Sequence, residues 1–241
     1  MQPSPLTAPL VKTNGMRADK PTLSLFLGLF RLAASWSTLR SAWPCATKLG
    51  WMPSPTAYWM DRDNSAKVIN VSLSKCELSA KASGMTASID QMLQAAVAHG
   101  QTFSVSSGDA GSYECGGNSA YQSYPAVSPY VIAVGGTTLT TSGATTYSSE
   151  KIWSGGGPSA TEAAPSWQTA AGVLTASKTK RGMPDIAFDA DPSSGELVLV
   201  AGNTYQVGGT SLAAPLFSGF WIRIQSANGN KLSSPASAIY R

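Results

Sequence analysis

The chain has 241 residues, a formal charge of +4, 12% charged and 43% apolar residues, 23 glycines, 15 prolines and three cysteines. That length suits one domain with a real core, and the low charge beside that apolar content excludes intrinsic disorder. Three cysteines are too few for a disulfide scaffold, and no apolar run reaches the roughly eighteen residues of a membrane span, so no membrane partner is expected.

The positive charge is not spread evenly. Residues 1–60 hold six Lys or Arg and one acid, Asp19, whereas residues 61–241 hold eleven basic and twelve acidic residues. The same first 60 positions carry four of the seven tryptophans, three of the 23 glycines and no glutamate; the first is Glu77. They show neither a 3.6 nor a 2.0 period, so 1–60 reads as a basic leader that is not a native domain, and 61–241 as the domain. The apolar stretch 23–32 is short and interrupted by Arg31; it is not a convincing signal peptide and would need an internal start at Met16. A basic excess in a segment without a binding motif also gives no footprint for nucleic acid.

Regular elements begin near Lys67. Residues 67–74 read as a buried strand rich in β-branched side chains. Ile89, Met92, Leu93, Ala96 and Val97 mark one face of a helix over 87–98, closed by His99 and Gly100. Strands follow over 102–107, 130–135 and 185–188, then a hairpin of 197–200 and 204–207 around Gly202-Asn203. The last predicted element is a helix over 210–226 with a bulky stripe of Leu212, Leu216, Phe220 and Ile224. Strand, helix and strand at this spacing predict a parallel sheet, with reactive groups at the carboxyl ends of its strands. Ser74, Asp109 and the residues after Val134 lie at such ends.

The sharpest local signal is Gly208-Gly-Thr-Ser-Leu-Ala-Ala-Pro215. A serine at a helix amino terminus, approached by glycines, has its hydroxyl beside free N–H groups, which suits a nucleophile and charge developing on a carbonyl oxygen. Helix chemistry alone also allows Thr210 or Ser211 to be an N-cap. The string resembles the nucleophile segment of the subtilisin-like fold, which two families share. Subtilisins use a histidine base, and the one histidine here is His99. It precedes the strand that delivers Asp109, so about ten mostly extended residues separate them by on the order of 25 Å. That excludes His99 as the base and leaves it as a helix-terminal surface residue.

The other family is the sedolisins, the serine-carboxyl peptidases. Val71-Ser-Leu-Ser-Lys-Cys-Glu77, Ser106-Ser-Gly-Asp-Ala-Gly111, Tyr124-Pro-Ala-Val-Ser-Pro129, Val134-Gly-Gly-Thr137, Trp153-Ser-Gly-Gly-Gly157 and Arg181-Gly-Met-Pro-Asp-Ile186 resemble sedolisin text in the expected order, over about 64–241. The resemblance implies an α/β, subtilisin-like fold with a mostly parallel sheet and helices on both faces, incomplete at both ends. It makes Ser211 the nucleophile and Asp109 the oxyanion-hole residue, where subtilisins place an asparagine. An aspartate donates to an oxyanion only while protonated, so such a site suits acid; the alternative for Asp109 is a turn-forming role. Ser72, Leu73, Ser74, Gly155, Gly156 and Gly157 would line a cleft for extended peptide. Flexibility is the plainer reason for a Gly-rich loop, and Ser74 stands where a glycine is frequent. Related sedolisins have a disulfide in the region of Cys76 and Cys115; two reduced buried thiols are the other reading, and Cys45 is left over.

Sedolisin catalysis also needs a glutamate base with an aspartate four residues later, ahead of the strand at Lys67. Glu-x-x-x-Asp occurs nowhere in these residues. Asp61 and Asp63 lie nearby without that spacing and read as solvent-facing charges. The family's calcium site lies beyond the serine helix, past residue 241, so no cofactor or metal is expected in this chain. An upstream frameshift or misplaced start and a truncated carboxyl end would account for both losses. The sequence therefore implies a serine-type endopeptidase that hydrolyses peptide bonds at acidic pH, inactive as written, extracellular by family, monomeric, with protein or peptide substrates. The alternative is a non-catalytic remnant that binds extended peptides.

Overall fold

The computed structural model describes residues 66–143, 146–173 and 178–241. The leader 1–60, the 23–32 stretch, Cys45, Asp61 and Asp63 lie outside the described residues.

The strands, in chain order, are β1 (Val68–Val71), β2 (Lys75–Cys76), β3 (Thr102–Ser106), β4 (Ser123–Tyr124), β5 (Ile132–Ser142), β6 (Thr146–Ser154), β7 (Pro158–Ala163), β8 (Lys180–Gly182), β9 (Ile186–Asp189), β10 (Glu196–Val200) and β11 (Asn203–Val207). The helices are α1 (Glu77–Ala82), α2 (Met85–Ala98), α3 (Ser166–Ala170), α4 (Thr210–Ala227) and α5 (Ala236–Ile239).

The central sheet runs β1-β3-β5-β9, all parallel. The far end of β5 turns into a hairpin with antiparallel β6. β3 is buried throughout because sheet neighbours flank it and helices cover both faces. Its alternate residues serve the two faces. Phe103 and Val105 join Ile69, Leu93 and Ala96 in an apolar cluster beneath α2. Thr102 and Ser104 face α4, where Trp221 Nε1–H donates to Thr102 Oγ1 at 3.1 Å and Ser104 Oγ donates to the Ala214 carbonyl at 2.7 Å. A polar stripe can thus be buried in the middle of the sheet without leaving donors unmet.

The predicted strands and both long helices exist, with two corrections. β1 stops at Val71, so Ser72, Leu73 and Ser74 form an irregular segment. The bulky stripe of α4 lies at the edge of its core face: Phe220 is 50% exposed, Leu212, Leu216 and Ile224 are half-buried with Ile224 packed against the core, and Ala213, Ala214, Phe217, Ser218 and Trp221 are buried. Small residues let the helix lie close against the sheet, and Phe217 and Trp221 fill the space beside the contact.

Two charged groups are sealed beneath this frame. Arg181 donates to both oxygens of Asp185 at 2.7 and 2.6 Å, with both side chains at 0% exposure. Asp185 also accepts from the Ala133 N–H at 2.7 Å and the Tyr240 hydroxyl at 2.8 Å, and the guanidinium lies 4.8 Å over the Trp167 ring. Burial and the Asp185 charge push the Tyr240 hydroxyl up to about 12. These bonds join β5 and β8 to the residue just before β9 and the residue just after α5; breaking such a pair costs about 3–5 kcal/mol.

A second set bears on pH. Asp90 on α2 accepts from the Tyr124 hydroxyl at 3.1 Å and Ser128 Oγ at 2.7 Å. Burial raises its carboxyl despite those bonds. Burial and then the Asp90 charge raise Glu162, and burial raises Glu114 and Glu196 as well. A group raised in the folded state holds its proton more tightly there than in the unfolded chain, so acidification through the raised values stabilises the fold until the ordinary carboxylate range, about pH 4, is passed. Exposed Asp191, lowered mainly by the Ser193 N–H, acts in the opposite sense, below its ordinary value. The melting temperature is therefore expected to rise as pH falls from 7 to about 5. Asp90→Asn, which keeps an acceptor for both hydroxyls, should raise it at pH 7 and flatten the rise; a steady fall from pH 7 to 5 in the parent chain would contradict this.

Candidate active site

The carboxyl ends of β1, β3 and β9 open toward the amino end of α4, and each sends a segment to it. From β9 comes Ala190, whose carbonyl accepts the Gly209 N–H at 2.6 Å. Gly209 has φ +91°, and a Cβ there would come within 2.9 Å of Asp109 Oδ2. Only glycine passes between Ala190 and Asp109 without displacing one of them.

Gly209 offers no side chain to cap α4. The cap comes from the end of β3: Asp109 Oδ1 accepts the Thr210 N–H at 2.7 Å and the Thr210 hydroxyl at 2.8 Å. Thr210 Oγ1 in turn accepts the Gly108 N–H at 3.1 Å. A carboxyl group at a helix amino terminus meets an unpaired N–H and the positive end of the helix dipole. Asp109 Oδ2 takes no hydrogen-bond donor among the described residues. Thr210 is buried, whereas Ser211, the second residue of α4, is exposed.

The end of β1 reaches the same turn through Ser72. Pro215 inside α4 has no N–H for the carbonyl four residues back, that of Ser211. Ser72 Oγ donates to this carbonyl at 3.3 Å and accepts from Asn70 Nδ2 at 3.3 Å. Leu73 beside it is 59% exposed.

Gly155, Gly156 and Gly157, between β6 and β7, run along the loop that carries Asp109. Ser154 Oγ donates to the Gly108 carbonyl at 2.5 Å, and Ser112 Oγ to the Gly156 carbonyl at 2.5 Å. Cys76 and Cys115 are joined in a disulfide with Cα atoms 4.8 Å apart, tying the end of β2 to that loop. Ser211, Asp109, Ser72 and the Gly155 segment are thus linked through one chain of contacts. Leu73 and Ser74 are exposed beside Ser72. His99 is exposed at the end of α2, before β3, with its carbonyl accepting from Lys67 Nζ at 3.4 Å. It lies at the opposite end of β3 from Asp109.

Two residues take roles the sequence does not show: there Thr210 is only an N-cap candidate and Ser72 only a lining of the cleft. Thr210 is the residue through which Asp109 grips the helix, and Ser72 works through its hydroxyl on the Ser211 carbonyl. The Thr-Ser pair and the proline four residues after Ser211 were the available signals. Among the described residues no three His, Cys, Asp or Glu side chains come together as a metal-binding group.

Ser72→Ala is expected to cost about 0.5–1.5 kcal/mol. In a Pro215→Ala background, where residue 215 supplies its own N–H to Ser211, the same change should cost distinctly less. Equal costs in a double-mutant cycle read by denaturant unfolding would show that the Ser72 bond does not replace the missing helix bond.

Comparison with known proteins agrees with the geometry. The subtilase family model (Peptidase_S8) matches residues 45–238. That match begins inside the stretch set apart by composition, so the shift near residue 60 does not bound the family resemblance. Sedolisin from Pseudomonas sp. (strain 101) is 48% identical over 196 residues, covering 74% of this chain and 33% of its own length. Xanthomonalisin from Xanthomonas sp. (strain T-22) is 47% identical over 220 residues, covering 74% of this chain and 26% of its own. The solved structure of Pseudomonas sedolisin, a serine-carboxyl proteinase complexed with two molecules of pseudo-iodotyrostatin, superimposes with a TM-score of 0.71 at 47% identity, over 76% of this chain and 54% of that one. The chain spans a third or less of the length of these two curated relatives. With its parallel sheet, its helices on both faces and its Gly-Thr-Ser turn, the chain belongs to the subtilase family and, within that fold, to the sedolisins.

Proposed function

We propose that this chain carries the nucleophile and oxyanion half of a serine-carboxyl endopeptidase site, built to act on extended peptide in acid, outside the cell. The observation that carries the reading is the bond pair from Thr210 to Asp109 Oδ1. With Oδ1 serving as acceptor for an N–H and a hydroxyl, a proton on the Asp109 carboxyl belongs on Oδ2. Protonated there, Asp109 donates to an oxygen that develops negative charge when Ser211 attacks a carbonyl; ionised, it repels that charge. Acid is thus a requirement of the oxyanion site itself. The Ser211 N–H accompanies it as a second donor.

Substrate would enter as an added strand between residues 72–74 and Gly155–Gly157; since Ser112 Oγ and the Met183 N–H engage the Gly156 and Gly157 carbonyls, pairing on that side would use the N–H groups and the Gly155 carbonyl. Protein and peptide substrates follow from that mode of recognition. The general base is the part these residues do not contain: the five glutamates, 77, 114, 150, 162 and 196, have no aspartate four positions on. A base of that form must come from outside these 241 residues. That absence favours a second reading for the chain alone, a site that binds extended peptide with little turnover, since loss of a triad base costs about three or more orders of magnitude in rate.

Incubation of the full chain with unfolded protein at about pH 3–5, where a carboxylate base would be ionised, separates the readings. Peptide binding with turnover at or near that of Ser211→Ala is expected. Rapid turnover that Ser211→Ala abolishes would refute the base-less reading, and rapid turnover unchanged by Ser211→Ala would remove Ser211 from the mechanism.

A further inference from the structure

Glu77, the first residue of α1, has no place in the chemistry above and is nonetheless 0% exposed. No ion pair with it is found among the described residues; its charge is met by hydrogen-bond donors. Oε1 accepts the Gln122 N–H at 2.8 Å and the Ala160 N–H at 3.1 Å. Oε2 accepts Ser159 Oγ at 2.5 Å, Thr161 Oγ1 at 3.0 Å, the Ala160 N–H at 3.1 Å and the Thr161 N–H at 3.3 Å. Hydrogen bonds to an ionised group are the strong ones, and a buried carboxylate persists only when it is satisfied in this way.

The donors come from two segments. Gln122 leads into β4, and the Glu77 N–H donates to its carbonyl at 3.0 Å, so the two backbones are joined next to the Cys76–Cys115 disulfide. Ser159, Ala160 and Thr161 belong to β7, which starts directly after Gly157. The Gln122 side chain also runs beneath Gly157: a Cβ on that glycine would meet Gln122 Nε2 at 2.9 Å. Gln122 Nε2 donates to the Ser112 carbonyl at 3.3 Å, on the residue whose hydroxyl holds Gly156. Glu77 therefore grips the Gly155–Gly157 segment from its far end, through β7, and from below, through Gln122.

We propose that Glu77 is a positioning residue for peptide binding: its carboxylate clamps β7 to Gln122 and so holds Gly155, Gly156 and Gly157 in the extended form that a peptide strand pairs with. The inference rests on the reading of that segment as a wall of the peptide cleft. An apolar side chain of similar volume would leave the Gln122, Ala160 and Thr161 N–H groups and the Ser159 and Thr161 hydroxyls without this acceptor, so the carboxylate is tied to the placement of those donors. What a carboxylate adds is two oxygens that accept both from successive donors of β7 and from Gln122, which fixes that strand against the segment leading into β4.

The test compares Glu77→Gln with Leu93→Ala in the full chain; Leu93→Ala loosens the apolar cluster beneath α2 without touching β7. Two quantities are read: amide hydrogen exchange at residues 155–157 in the free protein, and affinity for a short extended peptide ending in an aldehyde. A glutamine presents an NH2 group to N–H donors, so Glu77→Gln should speed exchange at 155–157 and weaken peptide binding by about tenfold or more. Leu93→Ala should lower the melting temperature while leaving both nearly unchanged. Should Glu77→Gln fail to fold, Ser159→Ala and Thr161→Val each remove one donor and should shift both readings the same way to a smaller degree.

Folded variants with parental exchange at 155–157 would overturn the clamp, as would an equal effect of Leu93→Ala. Because exchange is read without ligand, failure of the parent to bind peptide would reject the peptide-cleft reading, and the exchange data would still decide whether Glu77 holds the segment.

Discussion

The bond from the Thr210 N–H to Asp109 Oδ1 is the constraint on which the site depends. It joins the carboxyl end of the buried central strand to the amino end of the helix that covers the sheet. Both elements are fixed by the core: β3 by neighbours on both edges, and α4 by Phe217 and Trp221 packed among Ile132, Val134 and Ala190. One carboxyl oxygen thus caps a helix, a structural task common to many proteins, and that same task leaves the other oxygen without a donor among the described residues. In the proposed function, structure and chemistry share one residue because the two oxygens of a carboxyl group can do different things.

The surrounding turn is arranged so that little of it can shift independently. Gly209 admits the chain between Ala190 and Asp109, and Pro215 leaves the Ser211 carbonyl for Ser72. The disulfide holds the loop after Asp109 against β2, and Glu77 with Gln122 holds the wall beyond Gly157. In each case a polar group without a regular secondary-structure partner has been given one from a distant part of the chain. Precise placement is what oxyanion stabilisation needs, since its donors must be in position before charge develops.

Much of this frame was legible in the sequence, for physical reasons that differ between elements. β1, β3 and the helix over Met85–Ala98 were visible because burial imposes apolar periodicity, and Gly208-Gly-Thr-Ser was visible because close backbone approach demands glycine. The α4 core face was not evident from its bulky stripe because small residues, which a hydrophobic count passes over, mark the closest contact. β6 was missed because all but its last two residues are exposed, so its pairing with β5 leaves no apolar alternation. The two-residue strands β2 and β4, joined to Glu77, are set by long-range bonds that no local pattern records. Asp109 was found by resemblance; its grip on Thr210 required coordinates.

The most direct test of the oxyanion account is the pH dependence of hemiacetal formation between Ser211 and a peptide aldehyde carrying ¹³C at its carbonyl, followed by NMR in the parent chain and in Asp109→Asn. The amide of asparagine can accept from Thr210 and donate to the oxyanion at every pH. The account predicts that the parent forms the hemiacetal in acid and loses it at neutral pH, while Asp109→Asn forms it without that pH dependence. A parent hemiacetal equally populated in acid and at neutral pH would contradict the assignment of Asp109 as a protonated donor.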